Sequence, residues 1–316
     1  MKTNFISSLN IGDELINEPF LLQDVVPRTT KDGRAYLLYT LRDNSGQLGG
    51  VFWDVPDYIR SWVKPGVVVL VSGKDNSYKE TAQIMATDLN LVASPDLADF
   101  LPSSHRSSED MSVELRDYIN KLNAPWQQLV THLLLGEDFL HKFASSPAAR
   151  GMHHAFIGGL LEHSLSMAKL AELLAEHYPY INADLLISGA LLHDMGKTAE
   201  YAVDGSFTLS TDGRLVGHIV RAIVMIEKAA AEIDFPQNLL RQLIHLVASH
   251  HGTQEWGSPV VPKTLEAVLL HQIDLMDSRV QGFLDHVRED NGESDWTVKE
   301  SRMFGTVLQR PLDFTE

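Results

Sequence analysis

The chain has no cysteine among its 316 residues. Disulfides, thiolate nucleophiles and zinc–thiolate sites are therefore excluded, and any metal must be held by nitrogen and oxygen donors. No segment approaches the roughly 18 consecutive apolar residues that span a bilayer, and the start MKTNFISSLNIGDEL lacks the basic and apolar regions of a secretory signal. A cytoplasmic protein without a membrane partner is expected. Basic side chains are also scarce: 26 Lys and Arg face 42 Asp and Glu, a net charge of −16. That balance opposes diffuse attraction to phosphate backbones, so a nucleic-acid contact would have to be local. Neither a Gly-x-Ser-x-Gly elbow nor a Walker loop occurs, which removes the common nucleophilic and nucleotide-cradling motifs.

Histidine is missing from the first hundred residues, and all 14 lie at or beyond His105. The first part of the chain reads instead as short strands at Phe20–Val26, Ala35–Arg42, Leu48–Val55, Val67–Ser72 and Gln83–Val92, divided by turn-forming segments such as Lys31-Asp32-Gly33. Five strands in so short a span predict a small all-β barrel. Residues 94–110 shift to Ser, Pro and acidic residues and read as a linker, and beyond them the apolar period becomes helical. The expected organisation is a barrel over 1–93, a linker over 94–110 and an all-α bundle over 111–316.

Within the helical part, polar residues stand where apolar ones are expected. His163 lies on the apolar stripe of a helix predicted over Gly159–His177. His193 and Asp194 end the apolar run before Gly196, His218 opens the next helix, His250 and His251 close another, and Asp274 lies in the apolar run Leu265–Met276. Any one of these has an ordinary reading as a capped or buried histidine or a paired carboxylate. Together they place histidine or aspartate at an apolar face or end of five helices, which is how metal sites are built inside bundles. Seven such groups without cysteine suit one or two ions of the manganese, iron, cobalt, nickel or zinc type.

Lys197, three residues after Asp194, is a candidate phosphate contact, and His154 a candidate substrate contact or proton donor. Arg279 could also meet a phosphate. On the barrel, Tyr36, Arg42, Tyr78 and Lys79 interleave aromatic and basic character as single-strand binding surfaces do. Alternation puts Tyr36 and Leu38 on one side and Leu37 and Tyr39 on the other. Trp53 is expected to be buried.

In order and spacing, His163, the His193-Asp194 doublet and Asp274 resemble the four ligand positions of the HD-domain metal phosphohydrolases. His218 with His250-His251 resembles the extra histidines of members that hold two metals. His153-His154-Ala155-Phe156 followed by Gly158-Gly159-Leu160-Leu161-Glu162-His163, together with Val51-Phe52-Trp53-Asp54 in the barrel, is similar to the YhaM-like group, bacterial 3′→5′ exoribonucleases with an OB-fold ahead of an HD domain. The resemblance implies an OB barrel, an HD bundle and two divalent ions, manganese first. It implies that His163, His193 and Asp274 hold one ion and His218, His250 and His251 the other, with Asp194 between them. Single-stranded RNA is the implied substrate, with DNA the variant on it, and a homo-oligomer is compatible. The alternatives are an HD phosphohydrolase of a nucleotide or cyclic dinucleotide with a regulatory barrel, and a non-catalytic single-strand-binding adaptor.

Overall fold

The computed structural model describes the chain except residues 1, 79–80, 94, 96, 152, 204, 291, 293 and 313–316. It divides into two compact units, Met1–Ser103 with Val203–Phe207, and Ser104–Ala202 with Thr208–Glu316. Among the described residues no helix is long and apolar enough to cross a membrane.

The first unit is a closed barrel of β1 (Glu14–Thr29), β2 (Ala35–Asp43), β3 (Gly46–Trp53), β4 (Val68–Tyr78) and β5 (Thr81–Leu91), with the short helix α1 (Asp57–Arg60) after β3. Neighbours follow the order β1-β2-β3-β5-β4, and β4 pairs back with β1. All pairs are antiparallel except β3 with β5, which run parallel through Gly50↔Ile84 and Phe52↔Ala86. Closure leaves no unpaired edge, and this is the OB-fold arrangement.

Parity along β2 sends Leu37, Tyr39 and Leu41 inward with Phe20, Phe52 and Ile84. The Tyr39 hydroxyl is satisfied inside by donating to the Ile84 carbonyl at 3.0 Å. Gly50 makes the ring possible, because a Cβ there would lie 2.0 Å from Tyr39 Cε2. Trp53 corrects the expectation of burial: it is 47% exposed. The register pairs Leu37 with Phe52 on the inner face, so Trp53 turns outward opposite Tyr36 and stacks on it with ring centroids 4.6 Å apart.

The second unit is built from α2 (Ser108–Lys121), α3 (Trp126–Leu134), α4 (Glu137–Ser145), α5 (Gly159–His177), α6 (Ala183–Leu192), α7 (Lys197–Glu200), α8 (Thr211–Leu215), α9 (His218–Glu232), α10 (Gln237–Ser249) and α11 (Leu265–Glu289). A two-stranded ribbon, β6 (Tyr201–Val203) with β7 (Phe207–Leu209), interrupts the helices. The first turn of α2 begins at Ser108, capped by the Ser107 hydroxyl, inside the segment read as linker. The central element is α6, whose residues Leu185–Leu192 are all buried. A helix apolar all round has to be enclosed by others. Here α3, α5, α10 and α11 do so, with Leu161, Leu165, Leu246 and Leu270 in the shared core. The end of α6 is therefore an interior location, and whatever follows Leu192 is delivered into the bundle.

Gly50→Ala is expected to cost about 1–3 kcal/mol by forcing the Tyr39 ring out of place. Thermal unfolding of the full chain should show a midpoint several degrees lower, and an unchanged midpoint would refute the packing described.

Candidate metal centre

His193 and Asp194 emerge from the buried end of α6 and meet side chains from α5, α9, α10 and α11. The His163 Nε2 atom lies 3.3 Å from His193 Nε2 and 3.4 Å from Asp274 Oδ1. Asp194 Oδ2 is 3.3 Å from His193 Nε2 and 3.8 Å from His163 Nε2. Its other oxygen, Oδ1, is 3.5 Å from His218 Nε2 and 3.6 Å from His250 Nε2. One carboxylate thus turns one oxygen to each of two donor groups. His163, His193 and Asp274 converge within 4.8 Å, as do His218, His250 and His251, and also His193, Asp194 and His250. The structure brings together all seven side chains picked out as ligands.

The imidazole orientations are set from behind. Nδ1 of His163 donates to Asp277 Oδ2 at 2.7 Å and Nδ1 of His218 to Glu200 Oε2 at 2.6 Å. Those of His193, His250 and His251 donate to the carbonyls of Ala190, Val247 and Trp256 at 2.9, 2.7 and 2.7 Å. A neutral ring that donates through Nδ1 has its lone pair on Nε2, so each of the five rings turns an acceptor inward in its neutral form. Gly196 permits the approach of α9, since a Cβ there would sit 2.1 Å from the His218 carbonyl oxygen.

The donor set fits divalent ions. Asp194 Oδ1, His218 Nε2 and His250 Nε2 are buried without a hydrogen-bond partner. Each such atom costs about 1–3 kcal/mol unless something satisfies it. The facing Nε2 atoms of His163 and His193 likewise need a proton or a cation between them. Burial works against a charge on His163, but hydrogen bonds and attraction from Asp274 and Asp277 outweigh it and hold the imidazolium up to about 10. Asp194 is kept well below the usual carboxylate range: burial opposes its charge, and Lys197, His193 and His218 more than offset this. When bound, divalent ions would supply Lewis acidity and charge neutralisation at a phosphoryl group.

The remaining candidates separate. Lys197 is buried and its Nζ lies 2.5 Å from Asp194 Oδ2, so it is part of the centre rather than a solvated helix end. The Nε2 atom of His154 is 3.0 Å from Asp277 Oδ2, the same oxygen that receives His163, and its Nδ1 is buried without a hydrogen-bond partner. The buried ring lies beside that of His163, with centroids 5.3 Å apart, and it stays a candidate substrate contact or proton donor. Its neighbour His153 has a buried, unpartnered Nδ1, and burial together with the charge of Lys197 pushes the ring down to about 3. Arg279 is exposed on α11 and lines a separate apolar groove with Val280, Phe283 and Phe304. Tyr36 and Arg42 belong to the outer face of the barrel, whereas Lys79 and the Tyr78 side chain lie outside the described residues.

Two supports escaped the sequence reading. Asp277 also accepts from the Ser166 hydroxyl, and its only advance signal was its position one helical turn beyond Asp274. Glu200 takes both the backbone N–H and the ring of His218, yet in sequence it looks like any acid at a helix end.

Comparison with known proteins agrees with this geometry. The HD domain family matches residues 160–279, and the family described as OB-fold nucleic acid binding domain matches residues 22–92. Proteins named 3′-5′ exoribonuclease YhaM are similar over nearly the whole chain. The one from a Geobacillus species is 33% identical over 302 residues, 95% of this chain and 93% of its own length. That from Listeria monocytogenes is 32% identical over 92% of this chain and 93% of its own, and that from Bacillus pumilus 32% identical over 95% and 96%. The chain belongs to the YhaM family. It is accordingly a hydrolase of the HD superfamily, and the HD match spans His163, His193, Asp194, His218, His250, His251 and Asp274. In this YhaM-family chain the carboxylate supports Asp277 and Glu200 fall one on each side of Asp194, behind His163 and His218.

A prediction on protons follows from His163. At pH 8 its ring, raised to about 10, is charged in the metal-free protein, and ligation through Nε2 requires it neutral. Titration of manganese by calorimetry in two buffers of different ionisation enthalpy should show release of about one proton from this ring. Asp277→Asn should reduce that release and weaken affinity by roughly 10- to 100-fold. Unchanged affinity and proton release in the variant would show that Asp277 does not tune His163.

Proposed function

We propose that this protein is a metal-dependent phosphodiesterase that shortens single-stranded RNA from its 3′ end, with two divalent ions, manganese first, and a cytoplasmic location. The reading is carried by one observation: a buried carboxylate, Asp194, with an oxygen directed to each of two histidine groups whose Nε2 atoms face inward. His163, His193 and Asp274 would hold one ion, and His218, His250 and His251 the other. Support for the polymer substrate comes from relatives named 3′-5′ exoribonuclease YhaM and from the barrel.

The chain's own groups have definite tasks in this reaction. Asp277 and Glu200 keep the ligand rings oriented, so no reorganisation is needed as charge develops. Lys197, held charged by Asp194 although burial opposes it, puts a fixed ammonium at the centre where a phosphate would lie. On the barrel, Tyr36 and Trp53 stack on each other on the outer face of β2 and β3, beside exposed Leu38 and Met85. Such a face binds bases through π surface, which suits a chain too acidic to rely on basic residues. The net charge of −16 is also what favours the second reading, a small nucleotide or cyclic dinucleotide as substrate.

The deciding experiment is a time course on 5′-labelled single-stranded RNA with manganese, run beside a matched DNA oligomer and Asp194→Ala. A ladder receding from the 3′ end and absent in the variant is expected. Intact RNA together with rapid hydrolysis of small phosphodiesters would transfer the assignment to the nucleotide phosphohydrolase.

The barrel's part is separable. Binding of labelled RNA to the Asp194→Ala protein, followed by fluorescence polarisation, should weaken by roughly 5- to 150-fold on adding Trp53→Ala, the value of one lost stack. Equal affinity would remove this face from the RNA path.

A further inference from the structure

Trp256 is 53% exposed although its backbone is built into the metal centre. Single exposed apolar residues are ordinary on a protein surface. This one differs because its carbonyl receives Nδ1 of the ligand histidine His251 at 2.7 Å. The intervening loop is held by hydrogen bonds from the Thr253 N–H to the His251 carbonyl at 3.0 Å, from Trp256 to Thr253 at 3.3 Å, from Gly257 to Gln254 at 3.0 Å and from Ser258 to Thr253 at 3.1 Å. Gly252 crosses so close to the His271 ring that a Cβ would lie 2.2 Å from its Cε1. That ring in turn donates through Nδ1 to the carbonyl of His250 at 2.9 Å, and the indole lies beside it with centroids 6.2 Å apart. The loop is thus tied to His250 and His251, and the exposed indole is carried by the residue whose carbonyl supports His251.

What the loop can recognise follows from its composition. Residues 250–262 contain no lysine or arginine and one acid, Glu255, so the segment has no charge with which to hold phosphate. It offers a π face. A phosphodiester held by these donors would carry its base next to the loop that supports His251.

We propose that Trp256 is a stacking platform for the nucleobase next to the scissile phosphate, which makes this loop a base subsite of the centre. The proposal rests on the RNA reading above and deepens it. Every base has a π face, so a stack of this kind is indifferent to sequence, as an enzyme that removes successive nucleotides requires. The stack is present equally in the ground and transition states, so its loss belongs in KM rather than kcat.

The test uses the full-length protein with manganese and single-stranded RNA. Trp256→Ala should raise KM by roughly 5- to 150-fold with kcat little changed, and Trp256→Phe should recover most of the loss. On RNA whose last two nucleotides are abasic, the wild-type protein and Trp256→Ala should have the same KM. An equal loss on abasic RNA would overturn the proposal in favour of a residue acting only through His251. An unchanged KM on both substrates would overturn it in favour of another occupant for the ring, such as a protein partner beside exposed Val260 and Val261. Should the wild-type protein leave RNA intact, the exoribonuclease reading falls while the stack remains measurable. Adenosine monophosphate added to the metal-free protein should then quench a share of tryptophan fluorescence that Trp256→Ala lacks, and equal quenching in the two proteins would overturn the proposal.

Discussion

The second unit depends on a carboxylate that water cannot reach. Asp194 follows α6, the helix enclosed on all sides, and its side chain is 2% exposed. An isolated carboxylate in such a place would be protonated or would unfold its surroundings. It remains charged because Lys197, His193 and His218 converge on it against the cost of burial. The demand extends outward. Each histidine needs an acceptor behind it, and Asp277, Glu200 and three backbone carbonyls provide these. Glycine is then required where α9 approaches, and a fixed loop where His251 is supported.

Such a network has consequences for how the centre works. Rings held from behind cannot turn as charge shifts in front of them, so the cost of organisation is met during folding rather than during reaction. Two of the five rings are anchored by carboxylates and three by carbonyls, and the two carboxylate-backed rings lie on opposite sides of Asp194. A carboxylate makes its ring the more basic donor. Each donor group therefore holds one carboxylate-backed ring, joined by one carbonyl-backed imidazole and Asp274 in the first and by two carbonyl-backed imidazoles in the second.

The outer face of the barrel and the loop beside His251 show the same economy with charge. A chain with 42 acidic and 26 basic residues cannot cover a nucleic-acid path with lysine. Its aromatics, half-buried Tyr36 with exposed Trp53 on β2 and β3 and exposed Trp256 beside His251, offer contact area that does not depend on net charge.

Much of this could be read from the residues alone, since a buried polar group in an apolar helical pattern is a visible violation. His163 on its stripe, Asp274 in its run and the His193-Asp194 end of an all-apolar helix each break a periodicity, and breaks in five helices point to one place. Strand parity likewise separated Tyr36 from Tyr39. Asp277, Glu200 and Trp256 break no pattern, because polar residues on a helix face and an aromatic in a loop are what a solvated surface also shows. Whether such a group is buried against a ligand or exposed at a rim depends on which elements pack against it, and contact between residues distant in the chain has no local signature. The inward turn of Phe52 and the outward turn of Trp53 came from cross-strand register, and the engagement of His154 Nε2 by Asp277 came from contact between segments distant in the chain. Periodicity and composition by themselves determined the two kinds of unit and picked out the seven side chains that converge at one place. Tertiary packing alone decided which nitrogen each histidine presents, what holds it there, and which aromatic rings remain open to a partner, because these are properties of neighbours in space.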